Sequence, residues 1–445
     1  MSHSPLTSVP LPWLEPPLTE WEYLDGLIKE HGSPINLLNT KCFEENVVAL
    51  QAALGKHLTN YAIHFAMKAN KCLCFPDAAL QSGIGVDVAS LHEMKIAESL
   101  GVPGSEITIT GAVKSQTLIE EGMKAKALIV ADSEDEVREI EKLSEEFPQK
   151  LRLALRIAGF DHDGGTIPSR FGILRNQIVP LAMDLITNSP DVVIEGLHFH
   201  LSGYLPATRH SALKQTIMLA KQINAAGGCI ASIDVGGGFP VRYLESKSEW
   251  ENFWELNEFE NLIPFKRSES YPYFNELSME AFFDEMLEDL AEELKNLTLR
   301  CEPGRALLSR CGATVARIAT VKPATHGRTA ITCEINGTQL RPSKGEFLVD
   351  PILVTQETNG PFSTKPEEKY HCYGRYCSEN DFLFRRPIAF PEEPKRGDIL
   401  IFPNTAGYHM HFLETHGHGF PLSSNIVIDD PESPIPDMTL PLAKN

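Results

Sequence analysis

Positive charge is scarce in this sequence. Its 445 residues carry 40 Lys and Arg against 60 Asp and Glu, a formal net charge of −20. A field of that sign repels polyphosphate backbones and acidic lipid surfaces, which argues against nucleic acid or membrane as a partner. Any anion must then be held in a local pocket that works against the global field. Long apolar runs are also missing: no uncharged stretch approaches the ~20 residues of a membrane span. The first twenty residues lack the basic start and apolar run of a secretory leader. The nine cysteines are odd in number and scattered, without a CxxC pair. Reduced thiols in a cytoplasm are therefore expected. Low-complexity segments are absent too. With 42% hydrophobic residues, the chain can bury a sizeable core, and its length suggests two domains.

What is present is a recurring pattern. Eight short apolar runs read as strands covered on both faces: Ala62–Asn70, Gly83–Ser90, Glu106–Gly111, Ala127–Asp132, Leu151–Ile157, Ile194–Leu201, Cys229–Gly238 and Leu297–Arg305. Helical patterns fill the gaps at Leu91–Leu100, Ser133–Glu146, Ser211–Ala226 and Ser278–Asn296. In the second of these, Ser133 as N-cap and Glu136 three residues later spell a capping box, with Val137, Ile140 and Leu143 on one face. The alternation predicts a (β/α)₈ TIM barrel over residues 44–305, close to the ~250 residues this fold needs. A doubly wound open sheet is the alternative, but it would gather reactive residues at one switch point. Here Lys68, Asp87, Arg156, His200, Gly236–Gly238, Glu302 and Arg305 fall at the ends of many different strands.

After Arg305 the pattern changes. Strand-like pieces at Ala313–Lys322, Thr329–Asn336 and Gly397–Pro403 are separated by Pro- and Gly-rich turns, so residues 306–445 read as an all-β domain, a barrel or sandwich. Residues 1–43 precede the barrel pattern and are expected to pack with that domain. Segment Ser246–Glu276 is longer than a barrel connection requires and is rich in aromatics, among them Trp250, Phe253, Trp254 and Tyr271. It is expected to be an excursion packing its own rings, with a lid or subunit contact as the alternative.

Several groups carry chemistry. Gly236, Gly237 and Gly238 follow a strand directly and would let an anion approach the backbone closely. Gly304 and Arg305, in the loop after the next strand, offer a second close approach and a guanidinium. These two adjacent strand ends predict one anion site, where barrels often bind phosphate. Lys68 ends the first strand between apolar flanks, where burial would lower its pKa and make it nucleophilic. A buried lysine opposite a phosphate site suggests pyridoxal 5′-phosphate held as a Schiff base, with Glu302 facing the pyridine nitrogen. His198 and His200 alternate on one strand, which is compatible with zinc, but no third ligand is evident and no metal is expected. The other reading is one imidazole lying flat on a cofactor ring. His409, His411, His416 and His418 match no metal spacing and are expected to be structural or solvated.

The runs YAIHFAMKANK, GVDVAS, SRFGI, GLHFHLSG, IDVGGGFP, CEPGRAL, YCSENDFL and GDILIFPNTAGYHM span Tyr61 to Met410. In that order they resemble the fold-type III pyridoxal-phosphate decarboxylases, the diaminopimelate, ornithine and arginine decarboxylase group. The resemblance implies an alanine-racemase-like barrel with a C-terminal β-domain, in a homodimer with shared active sites. It implies that Lys68 carries the cofactor, that His200 stacks on its ring and that Glu302 meets its pyridine nitrogen. Gly236, Gly237, Gly238, Gly304, Arg305 and Tyr408 match the phosphate contacts, and Asp87 an aspartate near the lysine. Cys377 matches the cysteine that the partner subunit delivers, which would return a proton to the substrate carbon after CO₂ leaves. Arg341, Ser378, Glu379 and Asp381 fall where the substrate's far end is read.

This chain also departs from the family pattern. Ser378 stands where an acidic residue usually follows the cysteine, and Ser202-Gly203 where glycine then serine is common. Arg170 replaces a lysine, and Arg341-Pro342 resembles the diaminopimelate enzymes, where the arginine holds a substrate carboxylate. The expected activity is release of CO₂ from the α-carboxylate of a diamino acid or carboxylate-bearing amino acid. The alternatives are a racemase on the same fold, which needs a tyrosine opposite Lys68, and a non-catalytic cofactor-binding homologue.

Overall fold

The computed structural model describes residues 5–147, 150–342, 345–356 and 368–437. A four-residue strand near the start, β1 (Ile35–Leu38), is followed by the helix Thr40–Gly55, whose first turn is capped by the Asn39 side chain accepting the Cys42 N–H at 2.9 Å. Eight parallel strands then close into a barrel: β2 (Tyr61–Ala66), β3 (Gly85–Val88), β4 (Ile107–Ile109), β5 (Leu128–Ala131), β6 (Leu151–Ala158), β7 (Val192–His198), β8 (Ser232–Asp234) and β9 (Thr298–Cys301). Closure is made where β9 pairs with β2, and β6 pairs with β7. All eight expected strands are present. Their near-continuous burial follows from having helices outside and packed side chains inside.

The barrel floor is polar. Arg300 of β9 approaches His64 Nε2 at 2.8 Å and donates to Thr108 Oγ1 at 2.7 Å, so three strands are tied across the interior. The upper rim holds the ends that carry Lys68, Asp87, His200, Gly236 and Glu302. Ser90 and Ser133 each cap the helix that follows their strand, at 3.2 Å to the N–H of Glu93 and of Glu136. The expected reciprocal bond from Glu136 goes one residue further back, to the Asp132 N–H at 2.8 Å. Glu136 is also bound by the buried Lys114 ammonium at 2.9 and 3.0 Å.

Some helices differ from their sequence patterns. The helix Pro206–Ala225 starts before Ser211, because a proline suits a first helical turn. The single helix expected over 278–296 is broken into Met279–Met286 and Ala291–Leu294, with Asp289 left-handed (φ 58°) between them. Residues 246–276 hold a helix, Lys247–Glu260, capped by Ser246, which buries Trp250, Phe253 and Trp254.

A second sheet completes the chain. Its strands are β10 (Gly312–Pro323), β11 (Thr329–Cys333), β12 (Ile352–Val354), β13 (Tyr370–Tyr373), β14 (Ile399–Pro403), β15 (Ser424–Val427) and β16 (Ile435–Pro436), joined by β1. The order is β12-β14-β10-β1-β15-β16, with β11 added beside β10 and β13 beside β11. Thus β1 lies antiparallel to β10 and parallel to β15, in the middle of a sheet otherwise made by the C-terminal third. Among the described residues no helix is long and apolar enough to cross a membrane.

Candidate active site

Strand β2 ends in a single 3₁₀ turn, Met67–Ala69, which lifts Lys68 over the rim. Its ammonium lies 3.0 Å from Asp87 Oδ2, at the end of β3, and the side chain is 36% exposed through the cavity mouth. Asp87 is buried and also accepts a hydrogen bond from Thr110 Oγ1 beyond β4. Burial does act to lower the Lys68 pKa, as expected from sequence. The Asp87 and Glu302 charges outweigh it and raise the value above that of an ordinary lysine. The expectation of a depressed pKa is therefore corrected: the partner carboxylates come from other strands and hold the ammonium charged.

Opposite Lys68 lie the two glycine loops. A Cβ on Gly237 would sit 2.4 Å from the Glu302 carbonyl oxygen, and one on Gly304 2.8 Å from the Tyr408 hydroxyl. Only glycine leaves this space open. Arg305 donates through Nη1 to Tyr243 Oη at 3.1 Å and to the Gly407 carbonyl at 2.8 Å, with its guanidinium 4.0 Å from the Tyr271 ring centre. Tyr408 is held in a left-handed conformation (φ 64°), and its N–H donates to the Ala69 carbonyl at 3.0 Å. Tyr408 is thereby fastened to the turn that carries Lys68. Lys68, His200, Gly237, Gly238, Glu302, Gly304, Arg305 and Tyr408 line one cavity of about 210 Å³, with Asp87 and Gly236 behind its wall.

His200 accepts the Gly237 N–H on Nδ1 at 3.2 Å, which fixes the ring in the cavity wall. Burial, reinforced by Lys68, holds its pKa well below the usual histidine range, so the ring is neutral. Behind it, His198, Asp234 and Glu302 bring ligand-type atoms within 4.8 Å of one another. His198 Nε2 comes within 3.2 Å of Glu302 Oε1 without hydrogen-bond geometry, and both atoms lack a partner. Burial pulls His198 down to about 4 and pushes Asp234 up to about 7. Glu302 is pushed up to about 8, first by burial and then by the charge of Asp87.

These raised carboxyls give a testable slope. Between 4.5 and 8 the folded Glu302 keeps its proton while an unfolded one loses it, so stability falls as pH rises through that window. Glu302→Gln removes the titration. Its melting temperature, measured without cofactor from pH 5 to pH 8, is expected to fall less steeply than that of the wild type. Parallel curves would refute the assignment.

The Cys377 loop is elsewhere. Residues 377–380 are exposed and none lines the Lys68 cavity of their own chain. Arg341 donates through Nη2 to the Asn380 carbonyl at 3.1 Å, so Arg341, Cys377, Ser378 and Glu379 share one edge of the β-domain. Asp381, expected as a substrate contact, is engaged by its own loop. It is buried, and its carboxylate accepts the N–H groups of Gly337 at 2.7 Å and Tyr376 at 2.9 Å. At about 1.5–3 kcal/mol for a hydrogen bond to a charged group, these bonds define the loop's base. The four histidines of the C-terminal cluster do not converge. His409 packs on Tyr243 and Tyr273, His411 meets Cys72 at 3.2 Å and Glu414 at 3.4 Å, and His418 lies tilted against Tyr376. Arg170 lies over Phe171 at 3.8 Å.

Sequence reading missed Thr110, Tyr243 and Tyr271. Thr110 could have been found as a strand-end residue. The two tyrosines sit in and beside the aromatic excursion, where ring packing was the simpler account.

Comparison with known proteins supplies the context. Residues 44–309 match the family described as pyridoxal-dependent decarboxylase, pyridoxal binding domain. The chain is 34% identical over 420 residues to the uncharacterized protein y4yA of Sinorhizobium fredii, covering 90% of this chain and 89% of that one. It is 25% identical to a diaminopimelate decarboxylase of Vibrio cholerae, over 90% of this chain and 87% of the relative. The fold is similar to that of Helicobacter pylori diaminopimelate decarboxylase complexed with L-lysine. There the TM-score is 0.72 at 18% identity, over 93% of this chain and 95% of that one.

Proposed function

The chain belongs to the pyridoxal-dependent decarboxylase family, and from that premise we propose that it decarboxylates an amino acid whose far end bears a carboxylate. Its fold is the alanine-racemase-like barrel with a β-domain, and its cofactor is pyridoxal 5′-phosphate. The observation that carries the reading is the cavity that joins Lys68, His200, Glu302, Gly304 and Arg305. The residues fit the cofactor: glycine backbones leave room for a phosphate, a buried carboxyl oxygen of Glu302 lacks a partner, and an ammonium stands opposite.

When bound, the cofactor supplies the electron sink that lets the carboxylate bond break. Lys68 holds its carbonyl end and is positioned by Asp87. The neutral His200 ring would lie against its face. Glu302, whose carboxyl is pushed up by burial, would hold a proton at the pyridine nitrogen. Gly237, Gly238, Gly304, Arg305 and Tyr408 would hold the phosphate, with Gly236 shaping the loop behind them.

On this reading the enzyme is a cytoplasmic homodimer, divided as residues 1–43, 44–305 and 306–445. Cys377 of the partner subunit returns a proton to the substrate carbon. The exposure of residues 377–380, outside their own cavity, supports this. Arg341 beside that loop supports a distal carboxylate, and Ser378 and Glu379 complete the recognition edge.

A panel of amino acids, followed by CO₂ release with added pyridoxal phosphate, tests the substrate class. Substrates with a distal carboxylate are expected to exceed ornithine, lysine and arginine by about 10-fold or more in kcat/KM. Turnover of simple diamino acids alone would sink the proposal.

A further inference from the structure

Arg209 lies just inside the helix Pro206–Ala225 and is 1% exposed. Its guanidinium donates to three carbonyls: from Nη1 to Gly203 at 2.9 Å, and from Nη2 to Leu201 at 3.0 Å and Gly237 at 2.9 Å. Two of these belong to the loop after β7 and one to the triple glycine after β8, so a single side chain ties both loops. Among the described residues no carboxylate pairs with it, and burial draws it down to about 10. A buried cation held only by carbonyl dipoles is costly, and an anion nearby relieves that cost.

The geometry links this cation to the cavity. In a trans peptide the C=O and the following N–H point in opposite directions. Arg209 takes the carbonyls of Gly237 and Gly203 from behind, which turns the N–H groups of Gly238 and Tyr204 the other way. Both of these residues line the cavity, and among the described residues neither amide donates to a backbone acceptor. The third glycine is required by the same contact. Its φ is +83°, and a Cβ there would lie 2.6 Å from Arg209 Nη2.

We propose that Arg209 is a positioning residue for the anion cradle, aiming the Gly238 and Tyr204 amides at the cofactor's phosphate and supplying the buried charge that this phosphate neutralises. This rests on the reading of the glycine loops as the phosphate site.

The test compares dissociation constants for pyridoxal phosphate and for pyridoxal, which lacks the phosphate, by absorbance titration of the full-length protein. In Arg209→Met, pyridoxal phosphate is expected to bind about 10- to 100-fold more weakly, with pyridoxal changed by less than about 3-fold. Arg209→Lys keeps the charge with fewer directed donors and is expected to lose part of that increment, about 3- to 10-fold, which carries the test if the methionine variant does not fold. Equal weakening of both ligands, or an unchanged phosphate increment, overturns the role of Arg209. A wild type that binds pyridoxal as tightly as pyridoxal phosphate overturns the underlying reading of the glycine loops instead.

Discussion

Lys68→Ala is expected to lower CO₂ release by at least ~10³-fold and to remove the visible absorbance of bound pyridoxal phosphate. The lysine is the ammonium set against Asp87 at the end of β2, opposite the glycine loops. Truncation removes the group that would hold the cofactor's carbonyl end, and it also leaves the buried Asp87 carboxylate without its cation. Loss of activity alone could therefore reflect unfolding. Lys68→Arg separates the two effects: it restores a positive charge beside Asp87 and should recover the melting temperature, but neither the absorbance nor the activity. A Lys68→Ala protein that kept the absorbance would exclude Lys68 from cofactor attachment.

Cys377→Ala is the second large effect, with turnover expected to fall on the order of 10²-fold or more. Its informative form is a mixture. If each site takes Lys68 from one protomer and Cys377 from the other, co-expression of the two inactive variants gives about half mixed dimers. Each of those has one intact site, so about a quarter of wild-type activity returns. Recovery near zero would mean that Cys377 serves its own barrel. The exposed loop and its absence from its own cavity lead us to expect recovery.

Much of this was legible in the chain because burial on both faces leaves a signature. Eight apolar runs at strand length, each followed by a helix or an excursion, permit few arrangements, and chemistry at many strand ends selects the barrel. The triple glycine and Gly304 were legible for a related reason: no other residue leaves the space they leave. What escaped depends on three-dimensional neighbours. The charge state of Lys68 is decided by Asp87 and Glu302, which lie on β3 and beyond β9. Asp381 resembled a substrate contact because it sits in an exposed loop, but it turns inward to two backbone N–H groups. Arg209 stands two residues before the helix expected from Ser211, and nothing local says that three carbonyls surround it. The helix Lys247–Glu260 was hidden because its apolar residues are large aromatics that also suit an irregular segment.

The position of β1 bears on how the molecule is made. Leu38 pairs with Gly312 on one side and with Val427 on the other, and the entire barrel lies between these partners in sequence. During synthesis the barrel can close while β1 is still a bare edge, a state prone to wrong pairings. Its second neighbour is made only after the Cys377 loop and Tyr408 have been added to the chain. The sheet that seats both of them therefore cannot close around an unfinished chain. If Cys377 serves a partner's site as proposed, the protomer that lends it has already joined its first strand to its last ones.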